Sequence, residues 1–292
     1  MTPGKPLTEP APIPQASETN PSRAARTRLG GLLAVLLCPA LIAAAAEDAA
    51  VDVAFTAACD GTEQRYVVIE PPSTSPPPLD VLVALHGHGS DRWQFARDPR
   101  DEARAARDFA ARHGMLFVSP DYRARTSWMG PKAEADLVQI LDDLKATRGI
   151  RRVFLCGGSM GGTSALTFTA LHPERVDGVA AMNGTANHLE YGNFQEAIAE
   201  SFGGPKAAIP EEYKKRSAEY WPERFTQPVG VTTGGRDELV PPQSVGRLAE
   251  VLRKLDRRVL WIHREEGGHD TNYEDATAIL EFVLREADAA AK

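Results

Sequence analysis

From Val51 onwards the chain alternates between two periods of apolar positions. "VDVAFTAA" and "EQRYVVIEP" are strand-like and flank "CDG", which predicts an opening antiparallel hairpin turned at Asp60-Gly61. "PPSTSPPP" (71–78) reads as a loop. The run Leu79 to Leu85, apolar but for Asp80, suits a strand buried on both faces. A helix follows over Asp101–His113, stopped by Gly114, and then the strand "MLFVSPDY". "AEADLVQILDDLKATRG" predicts an amphipathic helix with Leu137, Ile140, Leu141 and Leu144 on one stripe and Gly149 as its stop. "RRVFLCGGS" is a strand, "GGTSALTFTALHPE" a helix ended before Pro173, and "VDGVAAMNG" a strand. Residues 187–226 break the alternation, with helical pieces and no strand. It resumes as "QPVGVTTGG" (strand), "PPQSVGRLAEVLRKLD" (helix), "RRVLWIHREEGG" (strand) and "NYEDATAILEFVLREADA" (helix).

Strands alternating with helices specify an α/β fold: a mostly parallel sheet with helices on both faces, here with an N-terminal hairpin and a helical cap insertion at about 187–226. Ligands of open α/β sheets bind beyond the carboxyl ends of the strands. The residues after the strands are "HGHGSD", "SPDYRARTSWMG", "GGSMGG", "GGRDELVPP" and "EEGGHD", so Ser159, Asp237 and His269 fall on one rim.

Gly157-x-Ser159-x-Gly161 lies on a strand-to-helix junction, which forces the serine onto a strained turn and lets neighbouring backbones approach. A hydroxyl needs a base, and the His269 imidazole is the candidate. Asp237 would orient its far nitrogen, with the adjacent Glu238 as the alternative acid. The expected oxyanion donors are the main-chain N–H of Met160 and that of His88, or else of Gly89. The imidazole of His88 is not required for this, and His86 is expected to tie the loop down. Trp128 is a candidate substrate wall and His188 a candidate substrate contact. Each has a bland alternative, core or loop packing for Trp128 and a surface position for His188. Arg123 and Arg125 are read as solvated charges, with contact to an anionic substrate as the alternative, and Glu134 and Asp136 as ordinary acidic placement at a helix start.

On "HGHG", "GGSMGG", "GGRDELVPP" and "GGHD", in this order, the sequence resembles the α/β-hydrolase superfamily from roughly Phe55 to Leu284. "DGTEQRYVVIEPP" followed by "LVALHGHGSD" is similar to its secreted polyester- and carbohydrate-esterase-like and prolyl-oligopeptidase-like branches. The resemblance implies a serine ester hydrolase working through an acyl-enzyme without metal or cofactor, on small-molecule or polysaccharide esters, with acyl groups on carbohydrates or aryl acids favoured. In this sequence no long domain precedes the hydrolase part, which lowers the alternative of a serine exopeptidase. A non-catalytic binding protein on this fold is the third reading.

Composition adds limits. A net charge of −7 argues against nucleic acid as the main partner. Residues 1–22 read as a disordered tail, and Arg23, Arg26 and Arg28 precede an apolar run that ends in alanines before Glu47. This predicts a signal peptide within 1–46, cleaved after Ala46, a catalytic domain over 47–292, and a secreted or periplasmic protein. The alternative is an uncleaved membrane anchor, since a run of about 18 residues can span a bilayer. Cys59 and Cys156 are expected as two separate buried thiols, with a disulfide between them as the alternative.

Overall fold

The computed structural model describes residues 50–71 and 79–291. The expected tail and signal peptide, and most of the 71–78 loop, lie outside the described residues. Strands β1 (Ala50–Thr56) and β2 (Glu63–Ile69) form the hairpin, with pairing that stops at Thr56 and Glu63. The turn therefore takes in residues 57–62 and is wider than a two-residue Asp-Gly turn. Gly61 supplies the positive φ of 75°, and the Asp60 carboxylate accepts from the Thr62 N–H and hydroxyl.

The remaining strands are β3 (Leu79–Leu85), β4 (Leu116–Pro120), β5 (Ile150–Gly158), β6 (Gly178–Met182), β7 (Val229–Gly234) and β8 (Val259–Arg264). They run parallel to one another, in a sheet ordered β1-β2-β4-β3-β5-β6-β7-β8. β2 alone runs against the other strands, antiparallel to both β1 and β4. The chain switches direction across the sheet at β3 and β5, which brings the loop after β3 beside the turn after β5.

The helices are α1 (Trp93–Arg97), α2 (Asp101–Arg112), α3 (Pro131–Arg148), α4 (Met160–Leu171), α5 (Gln195–Phe202), α6 (Pro210–Lys215), α7 (Gln243–Lys254) and α8 (Tyr273–Ala290). The sequence pattern misses α1, which is too short to show a period; Asp91 starts it by accepting from the Trp93 N–H. One core lies under α3, α4 and α7 and includes the whole Leu137, Ile140, Leu141 and Leu144 stripe. Burying each such side chain contributes about 2 kcal/mol. The second core packs α2 and α8 on the opposite face through Phe109, Ile279, Leu280 and Val283. Both faces of the sheet are thus covered, as the alternation requires.

The 187–226 segment is helical, carrying α5 and α6 with no strand. It is also part of the body, because Ile198, Tyr213 and Phe225 are fully buried. Its Arg216, with a side chain 1% exposed, pairs with Glu212 and with Glu134 on α3. Glu134 is therefore more than a helix-start charge. Burial works against its ionisation, but the His172 hydrogen bond and the Arg216 guanidinium outweigh it and hold its pKa at about 2. Glu134→Gln would leave the buried Arg216 short of one anion and is expected to cost about 3 kcal/mol at pH 7 by urea unfolding. Because the folded pKa lies below the ordinary 4.5, this contribution is complete above pH 4.5 and is lost as pH falls towards 2. Parent and variant stabilities should converge over that interval; a constant gap would reject the linkage.

Three further expectations change. Asp136 is buried, and desolvation raises its pKa to about 6 despite the Arg123 guanidinium 2.8 Å away. Arg123 is not a solvated charge, since it pairs with both Asp60 and Asp136. Cys59 is exposed on the hairpin turn and free, whereas Cys156 is buried in β5 and free, so they are neither two buried thiols nor a disulfide. Cys59 lies on the hairpin turn with its Sγ accepting from Arg123 Nη2 at 3.0 Å, while Cys156 belongs to a central strand and is fully buried.

Candidate active site

Ser159 sits between β5 and α4 at φ 58° and ψ −120°. That conformation costs a non-glycine residue roughly 1–3 kcal/mol. It is held by the Ser159 N–H donating to Met182 O at 2.8 Å and by Thr163 N–H donating to Ser159 O at 2.9 Å. The flanking glycines are sterically required. A Cβ on Gly161 would lie 1.9 Å from Leu85 O, and one on Gly157 would lie 2.5 Å from the Gly161 carbonyl carbon. The turn can therefore press against the end of β3 only with glycine on both sides of the serine.

His269 arrives on the loop after β8, and its Nε2 lies 2.8 Å from Ser159 Oγ. Its Nδ1 lies 2.7 Å from Asp237 Oδ2. The loop after β7 brings Asp237, whose side chain is only 1% exposed. Its other oxygen, Oδ1, accepts from the N–H groups of Leu239 and Val240 at 3.0 and 2.8 Å. Glu238 points to solvent, so the adjacent carboxylate is not the partner of His269.

The loop after β3 carries His88 and Gly89. The Gly89 N–H donates to Arg125 O at 2.8 Å, and Arg125 Nε donates back to Gly89 O at 2.7 Å. This engages Gly89, whereas the His88 N–H has no partner among the described residues. Arg125 is thus a clamp on the loop. The buried His86 ring lies between the carbonyls of Gly87 and Asp121, and burial lowers its pKa.

A cleft of about 330 Å³ opens over Ser159 and His269, lined also by His88, Gly89, Phe194 and Leu239. Two sequence candidates do not reach it. Trp128 is fully buried behind the loop, donating its Nε1–H to His88 Nδ1 at 3.1 Å, so it is no substrate wall. Its backbone is left-handed, with φ 44°. His188 is also fully buried; its N–H donates to Ser217 Oγ, and burial lowers its pKa to about 3. Neither the substrate-contact nor the surface reading of His188 holds.

The cleft contains residues the sequence reading overlooked. Arg100 and Glu102 line it from the start of α2, and Asp270 from beside His269. Burial raises the Glu102 pKa, and the nearest guanidinium, that of Arg100, is 3.7 Å away. Glu102 packs against the backbone of Gly158, close enough that a Cβ there would be in van der Waals contact with its Cγ at 3.7 Å. Asp270 was signalled by adjacency to His269 alone. Among the described residues, no group of three or more His, Cys, Asp or Glu is arranged to hold a metal ion.

The sheet and the strand-end loops define an α/β-hydrolase of the serine hydrolase type. Within that class, the chain belongs to the prolyl oligopeptidase family, whose sequence profile matches residues 108–289, more than half its length. A 2-hydroxy-6-oxononadienedioate/2-hydroxy-6-oxononatrienedioate hydrolase of Burkholderia vietnamiensis is 32% identical over 126 residues, 43% of this chain. The match spans 42% of that relative, less than half its length. The fold is similar to that of FphF, a fluorophosphonate-binding serine hydrolase of Staphylococcus aureus, with TM-score 0.63, 18% identity and coverage of 82% of this chain and 98% of that one. It is also similar to an S-formylglutathione hydrolase of Agrobacterium tumefaciens, with TM-score 0.64, 16% identity and coverage of 82% and 94%.

Proposed function

We propose that the protein is a serine carboxylic ester hydrolase, with Ser159 as nucleophile, His269 as acid–base catalyst and Asp237 as the group that orients it. The observation that carries this reading is the unbroken chain of contacts from Ser159 Oγ through His269 to Asp237. Ser159 Oγ attacks the ester carbonyl as His269 Nε2 takes its proton. The tetrahedral oxyanion accepts from the N–H groups of Met160 and His88, each donor of this kind contributing about 10²–10³ in rate. The intermediate collapses, His269 returns the proton to the departing alcohol, and an acyl-enzyme remains. Water then attacks the acyl carbonyl as His269 removes its proton, and the second tetrahedral intermediate breaks its bond to Ser159 Oγ, which takes that proton back from His269 as the acid leaves.

A cleft of about 330 Å³ suits a small ligand or one end of a larger one. This favours small-molecule esters, including short acyl groups on carbohydrates or aryl acids. Phe194, at the start of α5, covers one side of the cleft and stacks 4.2 Å from the His88 ring. Since the rest of the cap is woven into the core, a point change is the clean probe of its role. Phe194→Ala should shift preference towards longer p-nitrophenyl acyl chains, by about tenfold in the ratio of kcat/KM for octanoate over acetate. An unchanged ratio would reject a cap role for this ring. With the apolar leader at 23–46, we also propose export to the periplasm or medium, tested by N-terminal sequencing of the protein from cell fractions.

A second reading, a serine exopeptidase, is favoured by Glu102 and Asp270, two carboxylates facing the cleft that could hold a substrate amine. The glutamates of the insertion offer less, because Glu190 and Glu219 are bound by Arg247 and Glu212 by Arg216. Parallel assay of p-nitrophenyl esters, acetylated xylan, feruloyl esters and aminoacyl anilides separates the readings. Anilide turnover without ester turnover would overturn the esterase proposal.

A further inference from the structure

The imidazole of His88 has no part in the mechanism above, which uses only its main-chain N–H. Its surroundings nevertheless fix its chemistry. The Trp128 indole is a donor and cannot accept, so the 3.1 Å contact from Nε1–H requires His88 Nδ1 to be bare. A neutral ring must then carry its proton on Nε2. A doubly protonated ring would set two N–H groups against each other, and burial also lowers the His88 pKa. Trp128 cannot swing away, because it is fully buried between His88, Tyr191 and Phe194, with ring centroids 5.6–5.9 Å apart. Nε2 lies across the ring from the indole, has no hydrogen-bond partner among the described residues, and belongs to a residue that lines the cleft over Ser159. Phe194 covers the ring at 4.2 Å and limits its rotation.

We propose that Trp128 locks the His88 imidazole in its neutral Nε2–H form and that this N–H donates to a substrate oxygen beside the scissile carbonyl. The substrate half of this proposal rests on Ser159 being the nucleophile. His88 is then a specificity-determining residue and Trp128 a positioning residue. The substrate class is an ester bearing an ether, hydroxyl or second carbonyl oxygen near the reacting bond, as opposed to a bare alkyl ester. A fixed neutral donor rewards such an oxygen and leaves an alkyl group in its place facing an unsatisfied N–H.

The test uses two isosteric pairs: p-nitrophenyl methoxyacetate against p-nitrophenyl butyrate for the acyl side, and 2-methoxyethyl against n-butyl butyrate for the alcohol side. The ratio of kcat/KM within one pair should fall about fivefold or more from parent to His88→Leu. His88→Gln, which keeps a side-chain N–H donor, should recover part of it, and Trp128→Phe should lose it with kcat less affected than KM. Ratios unchanged in His88→Leu for both pairs would overturn the substrate contact. The lock is read without turnover, and without the Trp128 variant having to fold, by nitrogen NMR of histidine-labelled Ser159→Ala protein. Bare Nδ1 and protonated Nε2 on His88 at neutral pH support it; a proton on Nδ1, or on both nitrogens, overturns it. A parent protein that takes no fluorophosphonate at Ser159 overturns the nucleophile reading and the substrate contact with it, while the nitrogen spectrum still reports on the lock.

Discussion

Ser159→Ala is expected to lower kcat by about 10⁶-fold and to abolish labelling by a fluorophosphonate while leaving the fold intact. The size follows from what the substitution removes: the one oxygen within 2.8 Å of His269 Nε2 that stands on the cleft floor. The main-chain N–H of residue 160 remains in place, so a residual rate above that of water is expected from the oxyanion site alone. Alanine keeps the backbone strain of this turn, because it has a Cβ at φ 58°. Ser159→Gly should lack that strain and be more stable than Ser159→Ala by about 1 kcal/mol in urea unfolding, though equally inactive. Retention of more than a hundredth of parental kcat in pure Ser159→Ala would end the nucleophile assignment. Equal stability of the two variants would mean that the turn is not strained.

The strand ends were the most legible part of the chain. Short apolar runs such as Val81 to Leu85 suit central strands, and the glycine-bounded segments that follow them then lie on one rim. Ser159 and His269 were found there because each comes first after a glycine pair at such an end, and Asp237 because it is the first acid after one. Which way a loop side chain turns was not legible. Trp128 and His188 lie in rim segments, but the Trp128 indole is buried against Tyr191 and Phe194, and His188 is sealed in by Phe202 and Arg216. Nothing in local sequence fixes those dihedrals, because the partners come from distant segments. Glu102 was hidden for a related reason. It reads as an ordinary acidic residue in the first turn of α2, and only the tertiary approach of α2 to Gly158 puts it in the cleft. The choice between His88 and Gly89 as donor likewise needed Arg125, whose side chain and carbonyl together occupy Gly89.

Asp237→Asn should lower kcat by about 10⁴-fold with little change in thermal midpoint. The argument lies in the two backbone donors beneath the carboxylate. Leu239 N–H and Val240 N–H both point at Oδ1, so an asparagine must place its carbonyl oxygen there to avoid facing donor with donor. That orientation turns the amide NH₂ towards His269 Nδ1, at the site where Oδ2 accepted over 2.7 Å. Nδ1 must then become the acceptor, and the ring proton moves to Nε2. His269 would face Ser159 with an N–H where a lone pair is needed, and it could not take the serine proton. The hydrogen bonds survive and only their direction reverses, which is why stability is spared while turnover is lost. Glu238→Gln, a change on an exposed side chain one residue along, is the control and should stay within about twofold of the parent, as expected for a surface site. If Asp237→Asn kept activity within tenfold of the parent at neutral pH, the carboxylate would not be setting the tautomer of His269, and the proton path from Ser159 would need a different base.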